Sequence, residues 1–142
     1  MSLISIEELE GLIREKLPFA GVFGFRVEEL GSGTAIVRAP YNNEFLRPGG
    51  TISGPLMMGL ADFALYVAVL TRVGVAELAV TTNFNINFLH RPPPADLLAE
   101  ARLIKLGKRL AIGEAELFVN GHENMVAHVT STYSLPPEQM AR

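Results

Sequence analysis

Residues 53–70, SGPLMMGLADFALYVAVL, form an almost uninterrupted apolar segment with one acidic residue, Asp62, in its middle. A helix that is apolar on every side must be buried, either inside a folded domain or in a membrane. The segment is at the short limit for a membrane span and contains Gly, Pro and Asp, which favours burial inside a fold. Because an unpaired carboxylate is costly to bury, we predict that Asp62 belongs to a functional site.

The composition excludes several classes of protein. Of the 142 residues, 49% are hydrophobic, and the formal net charge of −3 comes from charges spread along the chain. A nucleic-acid surface needs a clustered basic face, so this distribution argues against one. The chain has no cysteine, which excludes a thiolate zinc site and a cysteine nucleophile. Residues 1–17 carry charge throughout and lack the apolar core of a signal peptide, so we expect a cytoplasmic protein without membrane or nucleic-acid partners.

The flanking segments are predicted to be one short helix and six strands. The helix is predicted over residues 4–16, capped by Ser5 and ended by Pro18. The central helix is predicted to begin at Gly54 or Pro55, after a loop over residues 41–53, and to end near residues 71–74. Strands are predicted over residues 25–30, 34–40, 79–90, 97–107, 109–120 and 125–135.

Strict alternation in the segment 79–90 predicts a half-buried strand with one apolar and one polar face. The apolar face would hold Val80, Thr82, Phe84, Ile86 and Phe88, and the polar face Thr81, Asn83, Asn85 and Asn87. Strands with one apolar face beside a wholly apolar helix indicate an antiparallel sheet wrapped around a central helix. We therefore expect an α+β fold with residues 1–142 forming a single domain.

The start of the central helix is a second chemical feature. Free N–H groups there favour a developing negative charge, such as the one on a carbonyl oxygen during attack by water. Asp62 lies eight residues after Gly54, which is about 12 Å along a helix, so one chain cannot bring both groups to one carbonyl. Two antiparallel copies of the helix would do so. We therefore predict a site at a dimer interface.

These residues also resemble a known family, the hotdog-fold acyl-CoA thioesterases of the phenylacetate-pathway (PaaI-like) type, over residues 20–135. Leu60-Ala61-Asp62 matches that family's Leu-x-Asp motif on the central helix, and TTNFNINFLHRP, residues 81–92, is similar to a later strand of the family. Ser53-Gly54-Pro55 stands where the family has His-Gly-Gly. Arg47 stands where it has a loop Asn.

The resemblance implies a hotdog fold and hydrolysis of an acyl-CoA thioester to a free acid and CoA. The Gly54 N–H would hold the thioester carbonyl, and Asp62 of the other subunit would act as general base or nucleophile. Thr81 would help to position the water. Ser53 could supply one hydrogen bond or simply cap the helix, and Arg47 could pair with a substrate carboxylate or with Asp62.

The resemblance also implies how the rest of the substrate is held and how the chains assemble. Basic residues near the ends of the later strands would contact the CoA phosphates, and the candidates are Arg91, Lys108 and Arg109. CoA would be part of the substrate, with no separate cofactor, and the histidines show no metal-binding spacing. The expected assembly is a homodimer that associates into a homotetramer.

Two alternatives remain open at this stage. The first is a hotdog protein that binds an acyl or aromatic ligand without turnover, which the residues at positions 47 and 53 allow. The second is a hydratase or dehydratase of the same fold, a chemistry that usually pairs a His with an acid. The sequence does not specify the acyl group.

Overall fold

The structure, a computed structural model, describes residues 1–75 and 78–137. The helices within these ranges are α1 (Ile6–Lys16), α2 (Pro18–Phe23) and α3 (Gly54–Val73). The strands are β1 (Arg26–Gly31), β2 (Thr34–Ala39), β3 (Leu46–Arg47), β4 (Thr51–Ile52), β5 (Val80–Phe88), β6 (Leu97–Leu106), β7 (Leu110–Val119) and β8 (Met125–Ser134). A short 3₁₀ turn (Asn43–Phe45) precedes β3.

Six of these strands form one antiparallel sheet, in the order β1-β2-β6-β7-β8-β5, and α3 packs across one of its faces. Along β7 and β8, buried residues alternate with half-buried ones, so one face of the sheet lies against the helix and the other faces outward. The predicted architecture, an antiparallel sheet wrapped around a central helix, is confirmed. β5 lies at one edge of the sheet.

The central helix α3 is the core of the fold. Leu60, Ala64 and Val67 are fully inaccessible to solvent, and the small side chains among its residues let the sheet approach closely. By length and composition α3 could also cross a membrane, but most of its apolar stretch is buried inside the fold, as in the core helix of a globular protein. Burial by the sheet thus explains a helix that is apolar on all sides.

The two ends of α3 agree with the sequence prediction, except for the cap. The helix begins at Gly54, has Pro55 in its first turn and ends at Val73. Ser53 occupies the N-cap position, but its side chain makes no capping hydrogen bond, so the predicted capping role of this hydroxyl is wrong. The first N–H groups of a helix have no acceptor within the helix. Here the cap side chain does not satisfy them either.

The N-terminal segment contains two helices where one was predicted. Ser5 caps α1 as expected, in a reciprocal capping box with Glu8. Pro18 does not simply end a helix: it opens a second one, α2, because proline fits the first position of a helix, where its missing N–H needs no acceptor. Gly24 then ends α2 with a left-handed backbone, φ 73°.

The segment 41–53 was predicted to be a loop, and it instead contains the small hairpin of β3 and β4. Arg47 pairs with Thr51, and the Gly50 N–H donates to the Arg47 carbonyl at 3.1 Å. Gly49 and Gly50 both have positive φ, 97° and 75°, which a glycine pair adopts without steric cost. The two-residue strands are too short for an alternation pattern to show in the sequence.

A β-bulge in β5 overturns the predicted strict alternation of that strand. Thr81 pairs with Tyr133 and Asn83 pairs with Thr132, so Thr82 is an extra residue without its own partner position. The extra residue turns Thr81 to the face that holds Phe84, against α3, although alternation had placed them on opposite faces. In the described chain β5 is also more exposed than the predicted half-buried strand, because its outer edge has no neighbour.

Candidate active site

The Asp62 carboxylate is held by two hydroxyl groups from the sheet. Thr81 on β5 donates its Oγ1 proton to Asp62 Oδ1 at 2.7 Å. Tyr133 on β8 donates to the same Oδ1 at 2.5 Å and to the main-chain carbonyl of Asp62 at 2.6 Å. Because Thr81 and Tyr133 are paired residues of neighbouring strands, the sheet register brings both hydroxyls to one oxygen.

The other oxygen, Asp62 Oδ2, accepts no hydrogen bond from any residue within 1–75 and 78–137. Asp62 is only partly buried, and it lines two cavities. One oxygen of the carboxylate is therefore fixed, and the other is available to a water molecule or a substrate atom. This arrangement suits a general base or a nucleophile, since either needs an oriented oxygen with a free lone pair.

Tyr133 is suited to serve as a permanent donor. Its side chain is nearly inaccessible to solvent, and burial, followed by the nearby Asp62 charge, raises the pKa of its phenol far above the ordinary value of 10.0. The phenol therefore stays protonated across the working range of an enzyme. Sequence reasoning missed this residue. Its signal was the alternation in β8, which places Val129, Ser131 and Tyr133 on the buried face.

Two cavities of about 330 Å³ and 310 Å³ adjoin Asp62, and both are also lined by Phe19, Gly59 and Thr81. The first, which we call the inner chamber, is completed by Leu17, Phe63, Tyr66, Ala79, Val80 and Tyr133. The second, which we call the outer chamber, is completed by Pro55, Met58 and Phe84. Both chambers are mostly apolar around one carboxylate, as expected of a small-molecule site.

A third cavity, of about 400 Å³, lies at the start of α3 and is lined by Gly54. The Phe88 ring comes so close that a Cβ at position 54 would lie 3.3 Å from it, so a larger residue there would require the ring to shift by a few tenths of an ångström. Arg47 and Arg91 line the same cavity, and His90 is beside them. The cavity thus combines unsatisfied helix N–H groups with two guanidinium groups, a setting that favours an anion or a polarised carbonyl.

The structure thus sorts the predicted site residues into three places. Asp62 and Thr81 meet at the two chambers, whereas Gly54, Arg47 and Arg91 meet at the cavity by the helix start. Ser53 adjoins that second group through its N-cap position. Lys108 and Arg109 are exposed in the turn between β6 and β7 and line none of these cavities.

Within one chain, Asp62 and Gly54 open into different cavities, as the spacing along the helix predicted. The two residues are eight positions apart on α3, which is about 12 Å along the helix axis. β5 contacts both of them: Thr81 near its start bonds Asp62, and Phe88 at its end packs on Gly54. No carbonyl group can contact both ends at once in a single copy of the chain.

Comparison with known proteins identifies the family. Residues 49–126, which include α3 with Asp62 and the whole of β5, match the family model of the thioesterase superfamily. The chain belongs to the thioesterase superfamily. The predicted resemblance is confirmed, and membership of this superfamily supports a hydrolase-type function.

Solved thioesterase-superfamily structures share the hotdog fold with this chain. A predicted thioesterase from a Silicibacter species is 41% identical, with a TM-score of 0.86 over 96% of this chain and 95% of that chain. A mutant of the phenylacetic acid degradation protein PaaI from Thermus thermophilus is 28% identical, with a TM-score of 0.75 over 84% of this chain and 99% of that chain.

Sequence relatives have similar names. A predicted esterase from Saccharolobus solfataricus is 28% identical over 92% of this chain and 85% of its own length.

Proposed function

We propose that this protein hydrolyses acyl-CoA thioesters to a free acid and CoA, at a site shared by two copies of the chain. Asp62 would be the general base or nucleophile, acting through its free Oδ2, with Thr81 fixing Oδ1. The Gly54 N–H of the other subunit would hold the thioester carbonyl. The observation that carries this proposal is the oriented carboxylate with one free oxygen in an apolar cavity.

The free edge of β5 supplies a simple way to complete the site. If two copies of β5 pair antiparallel about a two-fold axis, residues near the start of one strand face residues near the end of the other. Directly opposed residues must point to the same face of the sheet, and an axis through Asn85 satisfies this rule. With the bulge at Thr82, such an axis sets Thr81 opposite Phe88 of the second copy, and hence Asp62 beside the second Gly54.

The same pairing would gather the basic residues around the substrate entrance. Arg91 lies at the end of β5, whereas Lys108 and Arg109 lie at the opposite end of the sheet, near Val80. Antiparallel pairing brings the Val80 end of one copy to the Phe88 end of the other. Arg91 of one subunit and Lys108 and Arg109 of the second are then the candidates for contacting CoA phosphates, and Arg47 remains close to the carbonyl site. Further association into a tetramer is part of the proposal.

The principal test follows thiol release from a panel of acyl-CoA thioesters. We expect turnover by the natural protein and a loss of at least a hundredfold in Asp62→Asn, with unchanged behaviour of Glu123→Gln, an exposed acid on the β7–β8 loop. The panel includes p-nitrophenyl esters, because curated relatives are named esterases. Turnover of the oxygen esters alone would contradict the thioester assignment. Tight ligand binding without any turnover would favour the non-catalytic binding protein.

Dimer geometry is tested separately by disulfide cross-linking. Because the chain has no cysteine of its own, an introduced cysteine is the only thiol that can react. The variant Asn85→Cys should form an intermolecular disulfide under mild oxidation, since opposed Cβ atoms in an antiparallel pair lie about 4.5–5.5 Å apart. Glu123→Cys, on an exposed loop, is the matched control and should remain uncross-linked. A monomer by light scattering at micromolar concentration, or equal cross-linking of both variants, would refute the shared site.

A further inference from the structure

Phe19 occupies an unusual place beside the carboxylate. It is the second residue of α2, its side chain is 55% exposed, and it lines both chambers that adjoin Asp62. The remaining walls differ: Leu17, Tyr66 and Val80 belong to the inner chamber alone, and Pro55, Met58 and Phe84 to the outer chamber alone. Of the four residues that line both chambers, Phe19 has the only aromatic ring, and it adjoins two apolar spaces that share one carboxylate.

The ring is placed there by contacts on both sides. Its edge packs against Phe23 with ring centroids 4.7 Å apart, and Phe23 in turn stacks on Phe25 at 5.6 Å. On the α3 side, the ring lies over Gly59, where a Cβ would meet it at 3.4 Å. A Cβ at this distance would be in ordinary van der Waals contact with the ring, so position 59 also has room for alanine. The absence of a side chain at Gly59 leaves the space beside the ring open, one turn before Asp62.

From this arrangement we propose that Phe19, seated over Gly59, is the specificity-determining residue that limits the length of the acyl group. The inference rests on the proposed function. A chamber of about 330 Å³ has room for a small acyl group, since an apolar cavity of about 150 Å³ already holds a benzene ring. A longer chain needs both chambers, and in this proposal the Phe19 ring, the largest side chain that lines both, is the barrier between them. Short acyl groups therefore fit without moving α2, and long ones do not.

The test compares the length dependence of turnover across butyryl-, octanoyl- and dodecanoyl-CoA. Phe19→Ala should raise the ratio of kcat/KM for dodecanoyl to butyryl thioester at least tenfold over the natural protein, because removal of the ring merges the chambers. Val22→Ala is the matched control: it lies on the same helix, is 77% exposed and lines neither chamber, so its ratio should be unchanged. An unchanged ratio in Phe19→Ala would overturn the proposal.

Gly59→Ala provides a second variant with the opposite expected sign. The new methyl group would sit in contact with the Phe19 ring and fill space shared by both chambers, so discrimination against longer acyl groups should increase about fivefold or more. This variant should also fold at least as stably as the natural protein, since alanine is the better helix former. It therefore keeps the proposal testable if Phe19→Ala does not fold. A ratio that moves toward longer chains would contradict the proposal.

Binding of non-hydrolysable S-alkyl-CoA thioethers of the same lengths separates this inference from the proposed function. If thiol release is absent from every variant, the hydrolase assignment fails. A dissociation constant that falls selectively for the dodecyl thioether in Phe19→Ala, and not in Val22→Ala, would still support Phe19 as the length limit. A length dependence identical in all variants would reject the role of Phe19, whatever the turnover.

Discussion

The Tyr133 hydroxyl lies 2.5 Å from Asp62 Oδ1 and 2.6 Å from the Asp62 carbonyl oxygen, so one phenol ties the side chain and the main chain of the same residue together. With Thr81 on the same Oδ1, the carboxylate cannot rotate without breaking two hydrogen bonds. Tyr133 does not need to touch a substrate to act in this way. It is a positioning residue for Asp62.

We predict that Tyr133→Phe lowers kcat about 10- to 100-fold with little change in KM. A hydrogen bond to a charged group contributes roughly 1.5–3 kcal/mol, and without it the carboxylate loses its fixed orientation. Steady-state kinetics on a purified folded variant are the measurement, with Tyr41→Phe, an exposed tyrosine, as the control. Equal kcat in both variants, or a rise in KM without a fall in kcat, would exclude the positioning role.

Thr71, in the last turn of α3, is predicted to matter for stability alone. It is fully buried; its hydroxyl donates to the Ala68 carbonyl at 2.6 Å and accepts from the Gly33 N–H at 2.8 Å. Thr71→Val preserves shape but leaves that buried N–H without an acceptor, at a cost of about 1–3 kcal/mol. Thermal unfolding should show a clear loss of Tm, and Thr71→Ser, which keeps the hydroxyl, should lose less. Equal Tm values for the Thr71→Val and Thr71→Ser variants would argue against a stabilising role of this hydrogen bond.

Glu114 is predicted to give an acid-sensitive increment of stability on the outer face of the sheet. Its carboxylate accepts from His128 Nε2 at 3.1 Å and pairs with Arg102. The hydrogen bond to His128, and then the Arg102 charge, lower the pKa of Glu114 in the folded protein. A lowered pKa stabilises the fold above the ordinary carboxyl pKa, and this contribution disappears as the pH falls through the folded-state value.

The variant Glu114→Gln should accordingly be less stable than the natural protein at pH 7, by no more than about 1 kcal/mol because the pair is partly exposed. The gap between their free energies of unfolding should begin to close as the pH falls below the ordinary carboxyl pKa of about 4.3. It should vanish only below the lowered pKa of Glu114 in the folded protein. Denaturant-induced unfolding of both proteins at several pH values measures this difference in free energy. Glu123→Gln corrects for general charge effects, and a gap that widens in acid would contradict the assignment.

Arg91 is predicted to affect the binding of CoA rather than the chemical step. It lines the cavity at the start of α3 and is exposed, so it is free to meet a phosphate. Arg91→Ala should raise KM for acyl-CoA several-fold with kcat nearly unchanged, and the natural protein's KM should rise with salt more steeply than the variant's. Thioesters of the short thiol N-acetylcysteamine, which lacks phosphates, should show no such difference. An equal rise in KM for that substrate would show that Arg91 does not act through the CoA phosphates.

The sequence was sufficient to predict the part of the site that depends on one element. The bounds of α3 and the isolation of Asp62 follow from a helical apolar run, and the gap between Asp62 and Gly54 follows from helix rise alone. Tyr133 was beyond such reasoning, because its contact with Asp62 depends on the pairing of β8 with β5 and on how both lie across α3.

The orientation of Thr81 also could not be predicted, because it depends on how β5 pairs with β8. The sequence placed it on the polar face of a regular strand, whereas the bulge turns it to the helix, and nothing in an alternating pattern marks which residue is extra. α2 was missed for a different reason: Pro18 can follow one helix and begin the next, and a six-residue helix is too short for a helical spacing of apolar residues to show in the sequence.

The extra residue at Thr82 gives β5 one residue more than its pairing with β8 requires. Thr81 and Asn83 already occupy consecutive register positions, opposite Tyr133 and Thr132, so deleting Thr82 would restore regular pairing and leave Thr81 on the face of the carboxylate. Loss of this residue is therefore expected to spare the Thr81–Asp62 hydrogen bond, whereas Thr81→Val, which keeps the length of the strand, would remove it.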